Sequence, residues 1–342
     1  MLPFKGYEKG VNLGGWLSQC DHTEQRYREF VTEEDIRELG GWGIDHIRVP
    51  VDYDLVEDKE GNYKEEGFSY LQNCIDWAGR YGLNMILDLH KTFGYSFDEG
   101  EQESGFFELD ALQERFFRLW EQFASRFGDY KDRLAFELLN EVTDKAYCEI
   151  WNRIAEECIR RIRRYAPDID ILVGGYWNNS VQAVKDLLLP PDEHIVYNFH
   201  CYEPLIFTHQ GATWISDMDP DFRIGLDASI GDMEQKTVQY IFPDGRGYGL
   251  FRPEEHVDAD FFRTLFREAV QVAEARKVRL YCGEYGVIDK VDPEDTVKWY
   301  RMIHEAFVSY GIGRAAWSYK EMDFGLSDSR MDAVRNTIKT LL

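Results

Sequence analysis

The sequence predicts an α/β protein built as one (β/α)8 TIM barrel. Eight short apolar runs recur along the chain, and longer amphipathic segments separate them. The 342 residues are 44% hydrophobic, which suffices for one such barrel, and no low-complexity linker divides them. We therefore predict a single domain spanning residues 1–342.

The eight runs are predicted strands because several are nearly continuous in Ile, Leu and Val, as parallel strands buried on both faces are. In chain order they are GVNLGGWL (10–17), HIRVPV (46–51), NMILDLH (84–90), LAFELLNE (134–141), DILVGG (170–175), HIVYNFH (194–200), RLYCGEYG (279–286) and GRAAWSY (313–319).

The intervening segments carry helix signals. Thr32 is a predicted N-cap, with Glu34 and Asp35 in the first turn that follows it. In the segment 110–128, apolar residues recur at helical spacing and Gly128 supplies a stop. A helix between each pair of strands agrees with the predicted barrel.

One segment, about 203–257, is predicted to be an elaborated loop between the sixth strand and its helix. It is rich in Gly, Asp and aromatic residues, and a loop of this length is usually functional. Its aromatic side chains could wall one end of a cleft, or they could pack the loop on itself. They are Trp214, Phe222, Tyr240, Phe242, Tyr248 and Phe251.

The composition restricts the partners. The formal charge is −24, from 63 acidic and 39 basic residues, so nucleic acid and anionic membrane surfaces are not expected partners. Nine Trp and twenty Tyr could line a site for flat, neutral ligands such as sugar rings. The oligomeric state is not indicated.

The six cysteines are scattered without a CxxC pair and are predicted to be free thiols. The N-terminus MLPFKGYEKG lacks an apolar signal core, so we expect a cytoplasmic protein. A secreted protein whose signal has been removed would begin in the same way.

Polar and aromatic residues recur where the predicted strands end, and strand interiors are expected to be largely free of ionisable residues. In a barrel of this type the active site gathers at the C-terminal ends of the strands. The residues predicted at these ends are Arg48, His90, Asn140, Glu141, His200, Tyr202, Glu284 and Trp317.

Two of these residues, Glu141 and Glu284, suggest glycoside hydrolysis, which needs one carboxyl group as proton donor and another as nucleophile or base. Strands four and seven can direct them toward a common centre. A single glutamate at a strand end is more often a salt-bridge partner, so the hypothesis depends on the joint placement of both.

The other residues have predicted supporting roles. Arg48 and Tyr202 could hold Glu284 ionised, and Asn140 could bind a sugar 2-OH. Residues expected to contact the sugar ring or its hydroxyls are Trp317, Trp177, Asn178, Lys320 and Asp323. No metal or cofactor is predicted, because His90 and His200 lack HxH or HExxH spacing.

In order along the chain, these motifs resemble those of glycoside hydrolase family 5, the cellulase family of clan A. The resemblance covers nearly the whole chain and rests on HIRVPV, LDLH, LLNE, NFHCY, YCGEYG and AAWSYK. It implies that Glu141 is the acid/base and Glu284 the nucleophile of a retaining enzyme. Val142 replaces the proline that usually follows the Asn-Glu pair. GVNLGGWL resembles the branch that includes exo-β-1,3-glucanases.

The resulting hypothesis is a retaining β-glycoside hydrolase acting on β-linked glucan or gluco-oligosaccharides. Its alternatives are a β-mannan- or glycolipid-directed glycosidase of the same family, a non-catalytic carbohydrate-binding barrel and a metal-dependent barrel hydrolase. Linkage and exo or endo action are not determined by the sequence.

Overall fold

Eight parallel strands close into a barrel in which each strand pairs with the next and the last pairs with the first. The computed structural model describes residues 1–98, 101, 103–242 and 249–342. The strands are β1 (Lys9–Asn12), β2 (His46–Asp52), β3 (Asn84–Lys91), β4 (Leu134–Glu137), β5 (Asp170–Val173), β6 (Ile195–Cys201), β7 (Arg279–Tyr285) and β8 (Gly313–Ala316). The predicted TIM barrel is confirmed.

Helices surround this barrel and close several of its loops. They are α1 (Glu24–Glu29), α2 (Glu33–Gly40), α3 (Tyr53–Val56), α4 (Glu65–Arg80), α5 (Asp110–Phe127), α6 (Cys148–Ile162), α7 (Tyr176–Asn179), α8 (Leu205–Thr208), α9 (Ile230–Tyr240), α10 (Ala259–Arg276), α11 (Pro293–Tyr310) and α12 (Arg335–Leu341).

Local sequence explains where the long helices begin and end. Thr32 caps α2, and its main-chain N–H donates to the Asp35 carboxylate. Asp258 caps α10 by accepting from the N–H of Phe261. The left-handed Gly311, with φ +67°, ends α11. Among the described helices, none has the length and apolar character needed to cross a membrane.

Three strands end at least three residues earlier than their apolar runs predict. Strand β1 stops at Asn12, β4 at Glu137 and β8 at Ala316. Beyond β4 the chain stays buried through Leu138 and Leu139, although it has left the strand. A hydrophobic run indicates that residues are buried, but it does not show that they pair with a neighbouring strand. The run therefore overestimates the length of the strand wherever the buried chain continues beneath the loops.

The segment 203–257 is partly helical, because it contains α8 and α9. The Phe222 ring lies 4.9 Å from that of Tyr240, and Phe251 stacks at 4.5 Å on Phe261 of α10. These aromatic residues pack the segment on itself and on the barrel. Trp214, by contrast, is 48% exposed. Tyr248 lies outside the described residues.

The barrel interior has an apolar layer toward the N-terminal ends of the strands. The Phe4 and Tyr7 rings stack at 4.2 Å and pack into this layer from the N-terminal segment. Its members are Phe4, Tyr7, Ile86, Ala135, Leu172, Val196, Tyr281 and Ala315. Together they close the end of the barrel opposite the loops that carry the predicted site.

A charged layer lies above the apolar one, which corrects the expectation that strand interiors lack ionisable residues. All its members are fully buried: Asn12, Arg48, Asp88, Glu137 and Asn198. On β3, Ile86 belongs to the apolar layer, whereas Asp88 and then His90 follow at the two-residue spacing of side chains on one face.

Candidate active site

Arg48 occupies the centre of the charged layer. Its Nε and Nη2 donate to the two carboxylate oxygens of Glu137 at 2.7 and 2.8 Å. Its Nη1 donates to Glu284 Oε1 at 2.7 Å, and its Nη2 lies 3.0 Å from Asp88 Oδ2. Nη2 also donates to Asn140 Oδ1 at 2.8 Å. One guanidinium therefore fixes side chains from three further strands and from the loop after β4.

The Glu284 carboxylate is held in its ionised form. Burial alone would raise its pKa, but His200 and Arg48 outweigh burial and lower the pKa to about 2. The Tyr202 hydroxyl donates to Glu284 Oε2 at 2.8 Å. Burial and the Glu284 charge raise the pKa of Tyr202 well above its ordinary value, so this hydroxyl keeps its hydrogen.

An irregularity in β7 places Glu284 at the site. The pairing with β6 skips Gly283, so that Glu284 pairs with His200. Asn198 accepts from the Gly283 N–H and Asn12 donates to the Gly283 carbonyl, both at 2.9 Å. A Cβ at Gly283 would lie 2.8 Å from the Asn198 side chain, so glycine is needed for this close approach.

Glu141 lies beyond the end of β4 and has a partner on each carboxylate oxygen. His200 Nδ1 contacts Oε1 at 2.7 Å, and Asn178 Nδ2 donates to Oε2 at 2.7 Å. Burial lowers the pKa of His200, but Glu284 and the hydrogen bond to Glu141 raise it more, so the net shift is upward. The imidazole therefore links the two glutamates and favours a hydrogen on Nδ1.

The two carboxyl groups have a spacing suited to double displacement. One oxygen of Glu141, one oxygen of Glu284 and a ring nitrogen of His200 all lie within 4.8 Å of one another. Retaining glycosidases hold their carboxyl groups about 5–5.5 Å apart, whereas inverting enzymes need roughly 6.5–9.5 Å to admit a water. The geometry therefore favours a retaining mechanism.

His90 and Trp317 are a pair of parallel rings near the carboxylates. Their rings are nearly parallel, with centroids 5.9 Å apart, and Trp317 is 7% exposed. His90 Nδ1 lies 2.5 Å from Asp88 Oδ2, which fixes the ring orientation. Burial lowers the pKa of His90 to about 3, so this imidazole is neutral.

The residues expected to bind sugar hydroxyls have diverse surroundings. Lys320 Nζ donates to Asp35 Oδ1 at 2.9 Å, so its ammonium is engaged at the start of α2 rather than presented to a sugar. Asp323 is exposed. Trp177 is partly buried with its ring 5.1 Å from that of Tyr176, and the Asn178 amide contacts Glu141.

Comparison with known proteins identifies the family. The family model described as Cellulase (glycosyl hydrolase family 5) matches residues 6–323. The chain belongs to this family. It is 45% identical to Cellodextrinase A of Ruminococcus flavefaciens over 314 residues, covering 92% of this chain and 86% of that protein. It is 35% identical to Endoglucanase C of Acetivibrio thermocellus over 353 residues, covering 100% and 98%.

Solved structures of the family share the fold. One endoglucanase superposes with a TM-score of 0.79 at 23% identity, covering 98% of this chain and 97% of that one. Thermotoga maritima Cel5A in complex with cellobiose gives 0.78 at 22% identity, with 100% of both chains covered. With this family membership, the chain is a retaining β-glucan hydrolase of the cellulase type.

The resemblance to the exo-β-1,3-glucanase branch has weaker support. A Glucan 1,3-beta-glucosidase of Blumeria graminis is 28% identical over 240 residues, and the match covers 56% of this chain. The cellodextrinase and endoglucanase matches are both longer and higher in identity. The GVNLGGWL motif alone therefore does not place this family 5 enzyme in that branch.

The sequence reasoning missed the residues beneath the catalytic carboxylates of this family 5 enzyme. They are Asn12, Asp88, Glu137 and Asn198, and all are fully buried. Glu137 had a visible signal, because an ionisable residue in the middle of an apolar strand requires a buried partner. The identity of that partner, Arg48, depends on barrel closure and could not be read from the strand alone.

Glu141, Glu284 and His200 also have ligand atoms close enough together to bind a divalent cation. Arg48 already donates to Glu284, however, and supplies a positive charge beside that carboxylate. The absence of a catalytic metal therefore stays a prediction, which chelation can test.

Proposed function

We propose that this enzyme hydrolyses β-1,4-linked gluco-oligosaccharides, with Glu284 as the nucleophile and Glu141 as the acid/base. The observation that carries the proposal is the close approach of the two carboxyl groups, within 4.8 Å, around His200. An ionised Glu284 beside a carboxyl group with solvent access is the pair that double displacement requires.

In the first step, Glu284 attacks the anomeric carbon while Glu141 gives its proton to the departing glycosidic oxygen. The C–O bond to the leaving sugar breaks, and an ester between the sugar and Glu284 forms. In the second step, Glu141 takes a proton from water, and the resulting oxygen nucleophile displaces Glu284. Two inversions at one carbon retain the β configuration.

The surroundings of Glu284 suit the first step. Arg48 and the Tyr202 hydroxyl each donate to one carboxylate oxygen, which fixes the orientation of the group. The nucleophile is therefore ionised and oriented before substrate arrives, so that less reorganisation is needed during attack.

The relatives and two tryptophan side chains support this substrate class. The chain is 45% identical to a protein named a cellodextrinase. Trp317 offers a ring face beside the carboxylates, and Trp214 presents a second, more exposed face. Trp214 packs near Phe324, whose ring lies 5.8 Å from that of Tyr202. Two aromatic side chains near the carboxylates suit a short β-glucan chain.

The roles are tested with Glu284→Gln and Glu141→Ala. Glu284→Gln should lose turnover of every substrate, because an amide does not form the glycosyl ester. Glu141→Ala should keep more activity on 2,4-dinitrophenyl β-cellobioside than on cellotetraose, and added azide should yield a β-glycosyl azide. Equal losses on both substrates by both variants would contradict the assignment. Glu57→Gln, which alters a buried ion pair with Arg115, is the matched control.

The substrate is tested by chromatography of products from cello-oligosaccharides, laminarin, lichenan and β-mannan. Cello-oligosaccharides should be cleaved with the highest kcat/KM, and the first product should be the β anomer by NMR. Preference for laminarin would favour the β-1,3 branch instead, and preference for mannan would favour the mannan-directed alternative. Dialysis against EDTA should leave the activity unchanged.

A further inference from the structure

The short element α7, which contains the sequence YWNN, has an unusual backbone. Three consecutive residues have positive φ: Trp177 at +52°, Asn178 at +57° and Asn179 at +55°. Residues other than glycine adopt this left-handed conformation infrequently, although asparagine tolerates it best. A run of three persists only where surrounding contacts determine it, and such strain clusters at functional sites.

The contacts of this turn are with the segment that carries Glu141. The Asn178 N–H donates to the Val142 carbonyl at 3.0 Å, and the Asn179 side chain donates to the Asn140 carbonyl. The turn is therefore bonded to the residues immediately before and after Glu141. Its left-handed path is what directs the Asn178 side chain back toward the Glu141 carboxylate.

We infer that Asn178 is a positioning residue that holds the Glu141 carboxylate in the orientation needed to take a proton from the attacking water. The inference rests on the roles proposed above for the two glutamates. Asn178 Nδ2 donates to Glu141 Oε2 at 2.7 Å while His200 occupies Oε1. With one partner on each oxygen the carboxylate has a single orientation, and misplacing a reacting group lowers the rate.

Other charged and titratable groups act on Glu141 from the elements packed around it. His200 and Glu284 act from β6 and β7, and Tyr202 acts from the residue after β6. Asp88 and His90 act from β3, and Tyr95 donates its hydroxyl to the Glu141 carbonyl. These groups stay in place when Asn178 is replaced, so a change at Asn178 isolates one hydrogen bond.

The first test uses 2,4-dinitrophenyl β-cellobioside, whose leaving group needs no proton, so that hydrolysis of the glycosyl-enzyme limits kcat. Asn178→Gly keeps the left-handed backbone without strain and removes only the amide. It should lower kcat about 10-fold, the size expected for a hydrogen bond to a charged group. KM should fall with kcat, because the glycosyl-enzyme accumulates.

The second test uses the pH dependence of kcat/KM for cellotetraose, where Glu141 acts as an acid. Asn178→Asp replaces the donor with a carboxylate, and like charges disfavour a second ionisation nearby. The basic limb of the kcat/KM profile should therefore move to higher pH by about one unit. Asn62→Asp, which adds the same charge at an exposed turn, should leave the limb unchanged.

Thermal unfolding should show that both Asn178 variants are folded. The inference is overturned if Asn178→Gly keeps kcat within twofold on the dinitrophenyl substrate, or if the basic limb of Asn178→Asp does not move. It is also overturned if KM rises while kcat is unchanged, since that result assigns Asn178 to sugar binding. Failure of the proposed function is distinguishable, because Glu141→Ala would then form no glycosyl azide.

Discussion

Arg48 is the residue on which the charged layer depends. It is fully buried and contacts three carboxylates, those of Glu137, Asp88 and Glu284. Burying several charges together is unfavourable unless each has a partner with good geometry. The two-bond pairing with Glu137 supplies such geometry and also leaves Nη1 directed at Glu284.

Replacing Arg48 with Met should therefore shift the pH dependence of activity. Glu284 must be ionised to attack, and Arg48 helps to hold its pKa at about 2. Without the guanidinium this pKa rises, so Glu284 becomes protonated at a higher pH. The acid limb of kcat/KM should move upward, and the maximal rate should fall.

The measurement is kcat/KM for a dinitrophenyl cellobioside against pH, with circular dichroism to verify folding. Arg115→Met removes the partner of Glu57 away from the carboxylates and controls for lost stability. If Arg48→Met is folded and its acid limb does not move, Arg48 does not lower the pKa of Glu284.

Gly283→Ala should test whether the skipped position in β7 determines where Glu284 lies. The new Cβ would stand 2.8 Å from Asn198 and 3.1 Å from His200, so one of these side chains or the strand must shift. Misplacing a reacting group by about 1 Å can lower the rate roughly 100-fold, and we expect a loss of that order in kcat. Gly249→Ala, whose Cβ meets no atom of the described residues within 4 Å, is the control. If Gly283→Ala is fully active, β7 accommodates the methyl group without moving Glu284, and glycine is not required at this position.

At the scale of elements, the sequence predicted the presence and order of all eight strands but misjudged several ends. Hydrophobic runs such as LAFELLNE continue past the last paired residue, because Leu138 and Leu139 are buried outside the strand. The skipped Gly283 was also not predictable, since a register shift depends on the neighbouring strand. The structure brings together polar residues predicted near the strand ends, whereas the buried layer supporting them requires knowledge of which strands face each other.

The segment between β6 and α10 supplies a prediction of its own. Trp214 is an exposed aromatic residue of this segment beside Phe324, and we expect it to contact a bound glycan outside the carboxylates. Trp214→Ala should raise KM for cellopentaose several-fold, because stacking on the ring is lost. The KM of a dinitrophenyl glucoside, which is too short to reach it, should change little. Tyr240→Ala, which alters packing within the segment, controls for loosening of the loop. Equal KM changes for the long and short substrates would contradict a binding role.

For the molecule as a whole, a buried aspartate makes stability depend on pH. Burial raises the pKa of Asp52 to about 7. In the unfolded chain its pKa is about 4, so the proton favours folding below that value. This contribution is lost as pH rises through about 7.

Asp52→Asn should remove that dependence. The melting temperature of Asp52→Asn minus that of the unmodified protein should increase from pH 4 to pH 8. Thermal unfolding across this range measures it, and activity serves as a control because Asp52 does not contact the carboxylates in any described hydrogen bond. A difference independent of pH would mean that Asp52 is ionised throughout.

The aromatic residues Phe4 and Tyr7 that close the lower end of the barrel have a consequence for proton traffic. Because these side chains pack across that end, we expect the buried carboxylates above it to exchange protons with bulk water from the side of the loops. A glycan bound over the carboxylates should slow this exchange. The proton that Glu141 gives to the departing sugar is then one that it took up before the glycan arrived.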